Sequence, residues 1–108
     1  MFIINGEYWR VFFVDPMHTM LLKPNGEYAI GACDDYSNTI FLSKNLSGDM
    51  LKKVLCHEIT HATLFSYKIK MPLLQEELFA ELTTLFGEKI IKTTNVLFSH
   101  LLKRKGRL

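Results

Sequence analysis

"KVLCHEITHATLF", residues 53–65, sets two histidines four positions apart, places a glutamate directly after the first, and surrounds all three with apolar residues. Leu51, Val54/Leu55, Ala62 and Phe65 recur at helical spacing, which predicts a helix from Asp49 to about Ser66. Ser47-Gly48-Asp49 supplies a cap residue and an acid for its first turn. On such a helix residues i and i+4 share a face about 6 Å apart along the axis. His57 and His61 can therefore present ring nitrogens to one ion. Glu58 lies about 100° around the helix, within reach of something held there without having to hold the ion itself.

Upstream of this helix the chain reads as strands. Glu7 to Val14 (EYWRVFFV) is rich in aromatic and β-branched residues and ends at Asp15-Pro16. Thr19 to Lys23 is a second candidate strand. Pro24-Asn25-Gly26 is a turn signal, Glu27 to Cys33 a return strand, Asp34 to Asn38 another turn and Thr39 to Ser43 a short strand. Downstream, Tyr67 to Pro72 breaks the pattern. Leu73 to about Ile91 is a second helix, with Leu74, Leu78, Leu82, Leu85 and Phe86 along one side. Thr93-Thr94-Asn95 reads as a kink or cap before a last piece, Val96 to Leu102. The fold expected is α+β in one domain: a small antiparallel sheet of three to four strands over about residues 1–45, then two helices over about 48–104.

The chain has 108 residues, 48% of them apolar, enough for a core without staples. A net charge of +2 is too weak to argue for nucleic acid. Two cysteines, Cys33 and Cys56, do not make a disulfide scaffold and fit a reducing cytoplasm. No basic-then-apolar leader and no stretch of membrane-spanning length is present. The expectation is a cytoplasmic protein with no membrane association.

His57-Glu58-x-x-His61 on a helix is the HExxH pattern of hydrolytic zinc sites. Zinc there takes two imidazoles and one further protein ligand and keeps a fourth position for water, whose pKa it lowers. A glutamate beside it takes a proton and delivers it to the leaving amine. Each residue alone reads more simply, as a core histidine or a dipole-placed acid; together, on a helix followed by an acid cluster, they read as a site. The third ligand should come from the run QEELFAELTTLFG, where Glu76, Glu77 and Glu81 are all candidates by charge. Glu77 and Glu81 share a helix face. If Glu77 binds the ion, Glu81 lies one turn on, where it can accept a hydrogen bond from a ligand histidine. Two histidines and a glutamate suit a transition metal, zinc among them.

HEITH followed by a glutamate helix resembles the gluzincin metallopeptidases. The order "NTIFLS", "LSGDMLKKVLCHEITHA", "EELFAE" resembles the minimal, ImmA/IrrE-like members found in bacteria, phages and mobile elements. The likeness runs from about Tyr28 to Ile91. It implies one zinc ion per chain held by His57, His61 and Glu77, Glu58 as general base, and Glu81 as the acid four residues beyond the glutamate ligand, with Glu76 as a rival ligand. It also implies that Thr39 to Ser43 is the sheet edge over the cleft, where an extended peptide or protein substrate adds as a strand. The chain departs from larger gluzincins in being too short for a helical domain that supplies a Tyr or His to the oxyanion. Tyr67, Tyr36 and His100 are the available replacements. No helix-turn-helix is found.

The remaining residues have plainer readings. Cys56 points away from His57 as a small buried hydrophobe, and Cys33 packs. Asp34 and Asp35 are turn chemistry, and Trp9, Phe12 and Phe13 core packing. Lys103, Arg104, Lys105 and Arg107 form a solvated basic tail rather than a nucleic-acid contact. The function expected is zinc-dependent peptide hydrolysis. Its rival is a catalytically silent, zinc-stabilised interaction module of a phage or mobile element.

Overall fold

A computed structural model describes residues 1–106; Arg107 and Leu108 of the basic tail lie outside the described residues. The elements in chain order are β1 (Phe2–Ile4), β2 (Glu7–Val14), a 3-10 turn (Thr19–Leu21), β3 (Gly31–Asp34), β4 (Thr39–Ser43), α1 (Gly48–Ser66) and α2 (Leu73–Gly106). The architecture is α+β, one four-stranded sheet and two helices.

β1, absent from the sequence reading, is made by Asn5-Gly6. Both residues have positive φ, 48° and 76°, as a two-residue hairpin turn twisted like its strands requires. Ile4 thereby faces Glu7, and Phe2 faces Trp9. The sheet is mixed rather than antiparallel, in the order β1-β2-β4-β3. β2 and β4 run parallel, from Arg10 opposite Thr39 to Val14 opposite Ser43, while β3 returns antiparallel to β4. β4 is therefore interior, not the sheet edge expected of it, and the edge is β3. Burial explains the placement: Thr39, Ile40, Leu42 and Ser43 are all buried, as befits a strand covered on both sides.

Two further expectations are corrected between β2 and β3. Thr19–Leu21 is a 3-10 turn, not a strand: the His18 side chain accepts a hydrogen bond from Met20 N at 3.1 Å and caps it. Of Glu27 to Cys33, only the segment from Gly31 pairs as a strand; Tyr28 makes a single bridge to Leu22 across the Pro24-Asn25-Gly26 turn.

α1 lies on the sheet through a core of Trp9, Ile40, Leu42, Val54 and Ala62. Its C-terminal end is tied to the β1–β2 hairpin. The Trp9 indole N–H donates to Ser66 Oγ at 2.8 Å, Asn5 Nδ2 donates to the Ser66 carbonyl at 3.0 Å, and Phe65 meets Trp9 edge-on at 6.3 Å. Ser47 stands at the N-cap, but its side chain makes no capping bond.

Pro72 starts α2: its carbonyl accepts from the backbone N–H groups of Gln75 and Glu76. α2 then runs back antiparallel to α1, with Glu76 beside His61 near one end and Glu88 bonded to Lys52 at 3.1 Å near the other. α1 has 19 residues and α2 has 34, about 28 and 51 Å at 1.5 Å per residue, so α2 runs well past its neighbour. The molecule is accordingly long, 61 × 30 × 28 Å. The residue of α2 that is fully buried is Ala80, whereas Leu74, Leu78, Leu82, Leu85 and Phe86 are exposed. No kink or cap occurs at Thr93-Thr94-Asn95; Thr94 Oγ1 donates to the Ile90 carbonyl and the helix continues. No helix among the described residues is long and apolar enough to cross a membrane.

Candidate metal centre

α1 brings His57 and His61 to one face, as their spacing predicts, and the antiparallel return of α2 brings its first turns against them. His57 Nε2 lies 3.2 Å from Glu77 Oε2, His61 Nε2 lies 3.1 Å from Glu77 Oε1, and the two histidine Nε2 atoms are 3.2 Å apart. An ion bound tetrahedrally at about 2.0–2.1 Å has donors about 3.3–3.4 Å apart, so this triangle is of the right size. His57, His61 and Glu77 form a group that can hold a metal ion.

The neighbouring acids are arranged differently from the sequence expectation. His61 Nδ1 is 2.7 Å from Glu76 Oε2. If Nδ1 carries the proton and donates it to Glu76, the Nε2 lone pair is left pointing at the shared point. Glu76, a rival for the third ligand position, thus occupies the supporting position expected of Glu81. Glu81 Oε2 is 4.0 Å from His57 Nδ1, beyond hydrogen-bonding distance. Nothing in the sequence distinguished these two acids, because the choice depends on the rotation of α2 against α1.

Glu58 is buried on the α1 flank facing β3. The strand comes close there because residue 31 is glycine: a Cβ at Gly31 would lie 2.6 Å from Val54 Cγ1 and 3.2 Å from Glu58 Oε2. Burial raises the Glu58 pKa from 4.5 to about 7, with His61 opposing and the Glu77 charge adding to the rise. A carboxyl poised near neutrality can exchange a proton at ordinary pH.

These groups line one open cleft of about 1020 Å³. His57, Glu58, His61, Glu76 and Glu77 form one wall, and Gly31, Ala32 and Cys33 of β3 stand across from them. Cys33 packs against the core and Asp35 lies in the turn, as the sequence reading had them, and both also border the cleft. Asp34 does hold the turn, accepting from Tyr36 N and Ser37 Oγ. Burial, helped by Asp35 and Glu58, pushes the Cys33 thiol well above the usual thiol range, so it stays protonated at neutral pH. Partial desolvation also raises the Asp35 carboxyl, with Glu76 adding to the rise and the Cys33 hydrogen bond opposing it. Tyr36, Tyr67 and His100 do not line this cleft. His100 is 23 residues beyond Glu77 on the same helix, about 35 Å away. Lys23, Lys68 and Lys70 are the cations at its border. No family model, no curated protein and no solved structure matches this chain.

Proposed function

We propose that the chain is a zinc-dependent peptidase of gluzincin type, acting on a peptide or protein substrate. The observation that carries this reading is the His57–His61–Glu77 donor triangle with the buried Glu58 carboxyl on the same cleft. His57 and His61 of α1 and Glu77 of α2 would hold the zinc, and Glu76 would hold the His61 ring in its tautomer. A bound zinc ion supplies Lewis acidity toward a substrate carbonyl and a nearby water. Glu58 would take a proton from the attacking water and pass it to the leaving amine nitrogen. The outer edge of β3, rather than β4, offers its backbone to an extended peptide, because β3 ends the sheet and lines the cleft.

The rival, a silent zinc-stabilised module, is favoured by one observation: the tyrosines and histidine named as oxyanion donors stand away from the cleft. Zinc content per chain, measured for wild type, His61→Ala, Glu77→Ala and Glu76→Ala, tests the site. One zinc per chain is expected in wild type, lost in the first two variants and retained, more weakly, in the third. Cleavage of a peptide library by wild type and Glu58→Gln then separates enzyme from module. The variant should keep its zinc and lose roughly 100-fold or more in rate. A wild type that binds no zinc removes both readings; one that binds zinc and cleaves nothing leaves the module.

A further inference from the structure

The loop that joins the two helices borders the cleft together with the metal donors: Lys68, Ile69, Lys70 and Met71 all line it. α1 closes there through two backbone bonds. The Lys68 N–H donates to the Phe65 carbonyl and the Ile69 N–H to the Leu64 carbonyl, each at 2.9 Å. Lys68 takes the left-handed position of this turn, with φ of 57°. Glycine fits that position without a Cβ penalty, and a lysine weakens the turn. The fold alone therefore does not account for Lys68. What the residue adds is a cation rooted at the rim of the cleft, and Lys70 adds a second one two residues on.

Both lysines are exposed, and neither makes an ion pair among the described residues. The third cation at the border, Lys23, already has a partner, since Glu27 lies 3.8 Å from its Nζ. The acids of the cleft are placed elsewhere. Glu76 and Glu77 face the histidines, and Glu58 is buried. Glu7 and Asp35 stand where the cleft meets a second hollow, which the lysines do not border. Two unpaired positive charges beside a groove favour a carboxylate on what binds there. Their distance from the donors sets where that carboxylate sits. From His61 to Ser66, the last residue of α1, is five residues, about 7.5 Å, and both lysines follow that end. An extended peptide advances about 3.3 Å per residue. The lysines thus stand about two to four residues from a bond held at the donors, and to one side of it.

We infer that the substrate carries a carboxylate, received by Lys68 and Lys70, about two to four residues to one side of the scissile bond. This inference rests on the peptidase reading above. The carboxylate has two sources, an Asp or Glu side chain and a free C-terminus. Three peptide libraries, offered at low concentration to the zinc-loaded full chain, tell them apart. The first contains Asp and Glu and is C-terminally amidated. The second has Asn and Gln in their place and is also amidated. The third matches the second but has a free C-terminus. An exposed ion pair is worth up to about fivefold. With an acidic side chain as the source, kcat/KM for the first library should exceed that for the second by about fivefold or more, and product sequencing should find the acid on one side of the cut. With the terminus as the source, the third library should exceed the second, with cuts about two to four residues from its end. Lys68→Gly combined with Lys70→Gln should bring the preferred library down to the rate of the second while zinc content is kept, and high salt should shrink the preference in wild type. Lys68→Gly alone should raise the denaturation midpoint, because glycine suits the turn, so the lost preference is not a lost fold. Equal cutting of all three libraries, or a preference that survives the double variant, overturns the inference and leaves the peptidase standing. A wild type that cuts none of them removes the peptidase reading and this inference with it.

Discussion

At Gly31 a single hydrogen atom decides how closely β3 approaches α1. Its side of the strand faces Val54 Cγ1 and the Glu58 carboxylate, and an alanine methyl would overlap the first. Gly31→Ala should cost about 1–3 kcal/mol by overpacking, read as a lowered denaturation midpoint. No change there would mean that β3 stands further off than described. Glu58 itself makes a pH-dependent contribution in the metal-free protein. Its pKa is 4.5 ordinarily and about 7 in the fold. Below the lower value the carboxyl is protonated in both states and contributes nothing. Between the two, the unfolded chain ionises while the folded one holds its proton, so stability falls as pH rises. Above the upper value the loss levels off at about 3 kcal/mol. With a chelator present, Glu58→Gln should therefore match wild type near pH 4 and gain on it towards pH 8, by urea denaturation; parallel profiles would contradict the burial of this charge. The histidines and Glu58 were legible in the sequence because they lie on one helix, whose period fixes their relative directions. Glu76 against Glu81 was not, because no spacing within α2 specifies how it is turned against α1.

The elements show the same division between local and non-local information. Asn5-Gly6 is a local signal and does make a hairpin. The parallel pairing of β2 with β4 is non-local: β3 is the strand between them in sequence, yet β4 takes the place beside β2. The cue available was the unbroken Ile40-Phe41-Leu42 run, which suits an interior strand better than an edge. For α2, the apolar residues were visible but their partner was not. A helix that is apolar on more than one side gives no clue to which side its own domain covers, and here Ala80 rather than the leucines does the packing. The junction of α1 with the β1–β2 hairpin is a contact between elements that can be tested as one. Ser66→Ala leaves the buried Trp9 N–H without its acceptor and should destabilise by about 1–3 kcal/mol. In the Trp9→Phe background, where no N–H remains to satisfy, the same change should cost much less. Equal costs in the two backgrounds would show that this hydrogen bond contributes nothing of its own.

Across the whole molecule, the donor triangle joins the two helices, which also meet through the Lys52–Glu88 ion pair. His57 and His61 come from α1, Glu77 comes from α2, and the loop of residues 67–72 separates them. Unfolding pulls the three donors apart, so an ion that binds them binds the native state and stabilises it by mass action. At a free zinc concentration about 100 times the dissociation constant, the gain should be about 2.7 kcal/mol. For a domain of this size that corresponds to a rise in Tm of roughly 10–20 °C. Glu77→Ala should abolish most of the rise, because the α2 donor is gone. Glu76→Ala should keep the full rise but need about 10–100 times more zinc to reach it, since only the support of the His61 ring is removed. Those two variants exchange behaviours if Glu76 is the ligand and Glu77 the support. The result therefore reads out how α2 is turned against α1, the quantity the sequence left open. Calorimetry over a zinc series on wild type and the two variants measures it directly. A Tm that ignores zinc in all three would leave HEITH as a helix segment with two ordinary histidines, paired to acids on its neighbour.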